Sequence, residues 1–80
     1  MSNKIISYDL IASGKDYSEL YRAIRRIDSK AVRVLNSVWW ITSPLSVSEI
    51  LNQLSSSVDH NDRLMVAAVS GDARGINLLS

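Results

Sequence analysis

Hydrophobic positions along the chain alternate between strand-like and helix-like spacing. The first apolar run, Lys4–Leu10, is short and rich in β-branched and aromatic residues, which favours a central strand that ends in the acid Asp9. Within Tyr17–Ile27 the apolar residues recur at i, i+3, i+4 and i+7, which predicts an amphipathic helix packed on a sheet. Asp16 followed by Glu19 resembles a capping arrangement, so we expect this helix to begin there after a loop.

The middle of the chain contains two β-rich runs. Ala31–Leu35 and Val38–Thr42 are separated by a turn-tolerant Asn-Ser pair, as expected for a hairpin or for one bent strand. The neighbouring Trp39 and Trp40 must point to opposite faces of the sheet. We therefore expect one tryptophan in the core beneath the helices and the other on the far face, where a partner would cover it.

A second helix is indicated by its start signal. Ser46 and Glu49 form a capping box, and Leu45 and Ile50 are placed for a hydrophobic staple. The serines at positions 55–57 are expected to end the helix. The predicted buried stripe is Val47, Ile50, Leu51 and Leu54.

The order of these elements predicts the fold. After a polar turn at 59–62, Arg63–Val69 has the composition of a strand inside a sheet. Strand, helix, strand, strand, helix, strand is the ferredoxin-like βαββαβ order, an α+β single domain spanning residues 1–80. We expect an antiparallel four-stranded sheet with two helices on one face, and the first and last strands adjacent at its centre. Residues 70–80 are expected as an extra edge strand, as a segment that pairs with another subunit, or as a frayed end.

Composition narrows the class of protein. Eighty residues, 46% hydrophobic and 21% charged, describe a small globular domain, and its size makes self-association an early expectation. The absence of cysteine excludes disulfides and thiolate metal sites. No apolar run approaches the roughly 18 residues of a membrane span and no signal peptide is evident, so we expect a cytoplasmic protein with no membrane partner. A net charge of +1 means that any nucleic-acid binding needs a local basic cluster.

A family resemblance covers almost the whole chain. Residues 5–10, the basic helix and residues 36–40 resemble the small CRISPR-associated endoribonucleases, which begin with a strand ending in Tyr-Asp and carry a Ser-Val-aromatic segment. The chain is also similar, more closely, to short bacterial and phage proteins called SinR-like. The residues that carry this similarity are Tyr8-Asp9-Leu10, Gly14, Asp16-Tyr17, Leu20, Ala23-Ile24, Ser37, Trp39, Ile41, Asp62-Arg63-Leu64 and Val66.

The resemblance implies a homodimer in which the strand-end aspartates of two subunits face each other and hold a divalent cation. It carries over only to Asp9 as a metal-binding acid and to Ser37 and Trp39 as matching strand residues. Mg²⁺ suits such a site, because it needs few carboxylates and keeps waters that act on a phosphodiester. The alternative is a turn-forming Asp9 that hydrogen-bonds backbone amides. Leu35 departs from the family pattern, where a polar residue is usual, and the tail is shorter.

The other candidate sites have simpler alternatives. A basic cluster suits phosphate binding, although a solvated helix face that complements the helix dipole needs no ligand to explain it. Trp39 or Trp40 would stack on an unpaired base, or else pack in the core and at a dimer interface. His60, in a polar turn, is expected to be a surface residue rather than a ligand or general base. The cluster comprises Arg22, Arg25, Arg26 and Lys30, with Arg33 nearby.

Three functions fit these features. The first is a homodimer that acts by binding RNA, DNA or a protein. The second is a Mg²⁺-dependent endonuclease that uses paired Asp9 residues across the dimer axis. The third is a phage or mobile-element inhibitor of a host protein.

Overall fold

The protein has the predicted βαββαβ order. A computed structural model describes residues 2–9, 17–59 and 61–79. The elements are β1 (Ser2–Asp9), α1 (Ser18–Ile27), β2 (Val32–Leu35), β3 (Val38–Ser43), α2 (Val47–Leu54), a 3₁₀ turn (Ser55–Ser57) and β4 (Arg63–Ala68). The hairpin between β2 and β3 is confirmed, with positions 36 and 37 as its turn.

The four strands form one antiparallel sheet in the order β2-β3-β1-β4. β1 and β4 are adjacent, as predicted, but the expectation that β4 lies at the centre of the sheet is wrong. β3 occupies the other flank of β1, so β4 is left at the edge. The side chains of β4 alternate between the two faces of the sheet, with Leu64 and Val66 packed against the core and Met65 55% exposed on the far face.

The core lies between the sheet and the two helices. Along β1 and β3 every second side chain is buried, and Ile6 stands directly opposite Trp39 in the ladder. From α1, Leu20 and Ile24 complete this layer with no more than 1% of their surface exposed. The buried hydrophobic residues are Ile6, Tyr8, Leu20, Ala23, Ile24, Ala31, Trp39, Ile41, Ile50 and Leu54.

The two helix starts differ. α1 is preceded by Tyr17, which makes no side-chain capping bond, and the predicted cap Asp16 and the loop at 10–15 lie outside the described residues. α2 has the predicted capping box, in which the Ser46 hydroxyl accepts from the Glu49 N–H at 3.1 Å. The predicted burial of Leu51 is wrong, since it is 41% exposed. A helix of eight residues buries a narrow stripe at i, i+4, here at positions 50 and 54.

The tail after β4 crosses the far face of the sheet. Among residues 69–79 there is no strand, so the extra edge strand does not form there. The Val69 N–H bonds to the carbonyl of Asn3 in β1, and the Leu79 N–H bonds at 3.0 Å to the carbonyl of Val34 in β2. Between these points the tail arches over half-buried Trp40, above a cavity of about 450 Å³.

None of the helices among residues 17–59 is long and apolar enough to cross a membrane.

Candidate nucleic-acid interface

Helix α1 carries three arginines on its solvent side. Leu20 and Ile24 turn inward, so Arg22, Arg25 and Arg26 are exposed. Arg33, on the neighbouring edge strand β2, is exposed on the same side of the sheet, because it stands opposite Trp39 in the β2–β3 ladder. We call these four side chains the arginine surface.

Two members of the arginine surface are held against aromatic rings. The Arg25 guanidinium lies 4.9 Å from the centre of the Trp39 ring. The Arg33 guanidinium lies 5.7 Å from the Tyr21 ring centre and donates from Nη1 to the Tyr21 hydroxyl at 3.0 Å. The Tyr21 and Trp39 rings are themselves 5.1 Å apart. Cation–π contact at exposed sites contributes about 0.5–1 kcal/mol, enough to favour one orientation of each side chain.

Beneath these arginines lies a network of aromatic hydroxyl and indole groups. The Trp39 indole N–H donates to the Tyr8 hydroxyl at 3.2 Å, and the Tyr17 ring meets the Tyr8 ring edge-on at 6.0 Å. Burial raises the pKa of the Tyr8 phenol well above its usual range, and the neighbouring Tyr21 hydroxyl raises it further. The Tyr8 side chain therefore stays neutral, and its hydroxyl is a fixed acceptor for the Trp39 indole beneath the arginine surface.

The other two arginines line a polar groove between α1 and the 3₁₀ turn. Arg22 and Arg26 are one helical turn apart and share this groove with Glu19. Ser56 and Ser57 form the opposite wall. The groove has a volume of about 240 Å³.

No ion pair engages the arginine surface within the described part of the chain. There, none of the four guanidinium groups has a carboxylate oxygen within 4.0 Å. The nearby Asp28 is engaged elsewhere, since its two oxygens accept from the backbone N–H groups of Lys30 and Thr42, each at 3.0 Å. Lys30 itself is exposed in the turn after α1, and no described contact brings its ammonium group to the arginines.

Asp9 is paired with a cation from its own chain. It stands directly opposite Arg63 in the β1–β4 ladder, with Oδ2 at 3.9 Å from Nη1. Its side chain is 68% exposed. Residues 2–9, 17–59 and 61–79 contain no group of three or more acids and histidines that would hold a metal ion. A lone carboxylate beside a guanidinium does not fit a Mg²⁺ site within one chain, because Mg²⁺ needs several oxygen ligands and is repelled by the neighbouring charge.

The two tryptophans face opposite sides of the sheet, as predicted. Trp39 is 1% exposed in the core, whereas Trp40 is half-buried on the far face under the tail. Trp39 is therefore the tryptophan of the expected core position and not of the dimer interface, because a side chain inside the folded core cannot contact a second subunit. For Trp40 the interface stays a prediction. His60 lies outside the described residues.

Sequence reasoning missed three partners that the fold supplies. Arg63 begins β4, which runs antiparallel to β1. Its position opposite Asp9 follows from the register of these two strands, which the sequence does not show. The rings of Tyr21 and Trp39 hold two arginines, a relationship that spacing along the chain does not show. The 3₁₀ serines were interpreted only as a helix stop.

No protein-family model matches this chain, and no curated protein matches it either.

Proposed function

We propose that this domain binds nucleic acid by contacting backbone phosphates with the arginine surface. The observation that carries the proposal is four exposed guanidinium groups, none with a carboxylate within 4.0 Å in the described part of the chain. The net charge of the protein is only +1, so this local surplus is the feature that attracts a polyanion. Arginine suits the task because its planar fork donates two parallel hydrogen bonds to phosphate oxygens.

The contacts around Arg25 and Arg33 support the same proposal. A long side chain normally loses rotamer freedom when it binds a ligand, at about 0.5–1.5 kcal/mol for each side chain. Contact with the Trp39 and Tyr21 rings holds these two arginines before any ligand arrives, which lowers that loss. The resemblance to CRISPR-associated and SinR-like proteins is a further support, since several CRISPR-associated subunits bind nucleic acid. It also suggests a bacterial or phage protein that works in the cytoplasm.

We further propose that the working form is a homodimer. The far face and the tail expose large apolar side chains, including Val32, Leu35, Leu78 and Leu79 at 36%, 47%, 41% and 50%. Val32, Leu35 and Leu78 line the same cavity on the far face, and clustered apolar side chains of this kind favour an interface. Light scattering at micromolar concentration should give the mass of a dimer, and the mass of a monomer would refute this part of the proposal.

The test is a fluorescence-anisotropy titration of labelled single-stranded RNA and DNA of mixed sequence. The variant Arg22→Gln/Arg25→Gln/Arg26→Gln/Arg33→Gln should lose binding. The control Arg63→Gln/Arg74→Gln removes two arginines outside the arginine surface and should retain binding, whereas Arg22→Gln/Arg26→Gln, with the same change of net charge, should weaken it. The wild-type affinity should fall as salt is raised. A plot of the logarithm of the binding constant against the logarithm of the salt concentration should have a slope of about −0.7 for each phosphate contacted. Absence of wild-type binding, or equal loss in the fourfold variant and the control, would refute the proposal.

The endonuclease remains the second candidate because Asp9 is accessible at the end of β1. Two copies across a dimer axis would supply two carboxylates, provided that Mg²⁺ displaces Arg63 from each. Mg²⁺-dependent cleavage that disappears in Asp9→Ala, with dimer and fold intact, would replace the binding-only proposal. If no nucleic acid binds and a host protein binds stoichiometrically instead, inhibition of that protein becomes the leading hypothesis.

A further inference from the structure

Within the arginine surface, the groove between α1 and the 3₁₀ turn differs from its surroundings. Glu19, Arg22 and Arg26 follow one face of the helix at spacings of three and four residues. Ser56 and Ser57 face them from the 3₁₀ turn, across a volume of about 240 Å³. Donor groups thus reach this space from two separate segments of the chain.

We propose that this groove is the subsite that receives one phosphate group of the bound strand. The inference rests on the proposed function and adds where a phosphate sits and which residues hold it. Arg22 and Arg26 are the ion partners, and the hydroxyls of Ser56 and Ser57 are additional donors.

The hydrogen-bonding state of these side chains favours the assignment. Within the described residues, the guanidinium groups of Arg22 and Arg26 make no hydrogen bond or ion pair. Ser55 is different from its neighbours, because its hydroxyl already donates to a main-chain carbonyl of α2 at 2.8 Å. Ser56 and Ser57 have no such bond within the described residues, so their hydroxyls are available to a ligand.

The number of donors selects phosphate over a carboxylate. A carboxylate offers only two oxygens, and a single arginine fork contacts both of them. A phosphodiester shares one negative charge between two non-bridging oxygens and adds two ester oxygens, so two forks and two hydroxyls have more acceptor sites to reach. Glu19 opposes any anion in the groove, because like charges repel, and it therefore sets the affinity below the maximum that the arginines allow.

The first test is a titration of the 80-residue protein with inorganic phosphate, monitored by NMR of the arginine side-chain N–H groups. Arg22→Gln/Arg26→Gln should weaken phosphate binding by about tenfold or more, since two charged hydrogen-bonding partners are lost. The control Arg63→Gln/Arg74→Gln, with the same change of net charge, should bind phosphate as the wild type does. Glu19→Gln should tighten binding by a few-fold. Equal phosphate affinity of the groove variant and the control would overturn the proposal.

The second test uses the labelled oligonucleotide and separates this inference from the proposed function. If the wild type binds the strand and Arg22→Gln/Arg26→Gln binds it as tightly as the control, the groove is not a subsite although the function stands. If the groove binds phosphate but the wild type binds no strand, the proposed function fails instead. Ser56→Ala/Ser57→Ala should weaken strand binding by a few-fold with an unchanged circular dichroism spectrum. A polyglutamate peptide that displaces phosphate at equal concentration would overturn the choice of phosphate as the ligand.

Discussion

Trp39 donates its indole N–H to the hydroxyl of Tyr8 at 3.2 Å, inside the core between sheet and helices. The two side chains lie on the same face because Trp39 pairs with Ile6, two residues before Tyr8 on β1. A buried indole N–H needs such a partner, since an unsatisfied buried donor is destabilising. This bond therefore satisfies the indole N–H of the internal tryptophan.

The tryptophans should be distinguishable by fluorescence. Trp40→Phe leaves only the buried Trp39, so its emission should be blue-shifted and poorly quenched by acrylamide. Trp39→Phe leaves the half-buried Trp40 under the tail, so its emission should be red-shifted and more readily quenched. The reverse order of quenching would contradict the orientation of β3.

The same pair of variants should differ in stability. Trp39→Phe removes core volume and the hydrogen bond to Tyr8, so the free energy of unfolding should fall by more than about 1 kcal/mol. Trp40→Phe serves as the matched control, because it removes the same atoms from a less buried site and should have a smaller effect. Urea unfolding followed by circular dichroism measures both. A larger loss for Trp40→Phe would contradict the packing described.

Asp9→Asn should leave the stability nearly unchanged. The ion pair with Arg63 spans 3.9 Å, and both side chains are more than two-thirds exposed. Exposed pairs of this kind contribute about 0–1 kcal/mol and are screened by salt. The free energy of unfolding in urea should therefore change by less than about 1 kcal/mol, and the change should shrink as salt is raised. A much larger loss would show that Asp9 has a partner beyond Arg63, such as a second subunit.

Ser46→Ala should destabilise the protein through α2. The Ser46 hydroxyl accepts from the Glu49 N–H at 3.1 Å, one of the free amides at the helix start. Loss of an N-cap serine typically lowers stability by about 1 kcal/mol. Urea unfolding of Ser46→Ala measures the contribution of the cap as a drop in the free energy of unfolding. Ser48→Ala, in the same helical turn, is the control. Equal effects of the two variants would show that the cap does not act as described.

The capping box should also give the stability a dependence on acid pH. The backbone N–H of Ser46 donates to the Glu49 carboxylate at 3.0 Å and lowers its pKa below the ordinary 4.5. Because the folded pKa lies below the unfolded one, the unfolded state binds more protons as the pH falls. The contribution is complete above pH 4.5 and is lost as the pH drops through the folded value.

Glu49→Gln isolates this effect. The variant lacks the titrating group, so the stability difference between it and the wild type should shrink as the pH falls below 4.5. Unfolding midpoints in urea at a series of pH values measure the difference. A difference that stays constant through this range would contradict the assigned hydrogen bond.

Local signals predicted most of the fold. The period of the apolar residues predicted both helices and all four strands, and the Ser46 to Glu49 spacing predicted the cap of α2. These features depend on neighbours within a few residues, so the sequence contains them directly. The edge position of β4 was not predictable in this way, because an apolar run suits an edge strand and a central strand equally.

The candidate site was only partly predictable. The basic composition of α1 was visible, but the division of its arginines between a ring-contact pair and a groove pair depends on β2, β3 and the 3₁₀ turn. Asp9 was recognised as unusual, yet its neighbour Arg63 is 54 positions away in the chain and becomes adjacent only through the β1–β4 register.

The sequence by itself determined the order of elements, the inward face of α1 and the opposite orientation of Trp39 and Trp40, since these follow from fixed residue periods. The tertiary structure decided which tryptophan enters the core and which cation stands beside Asp9. It also decided that the tail crosses the far face of the sheet. Each of these depends on strand register and on contacts between distant segments, and neither is encoded by any local period.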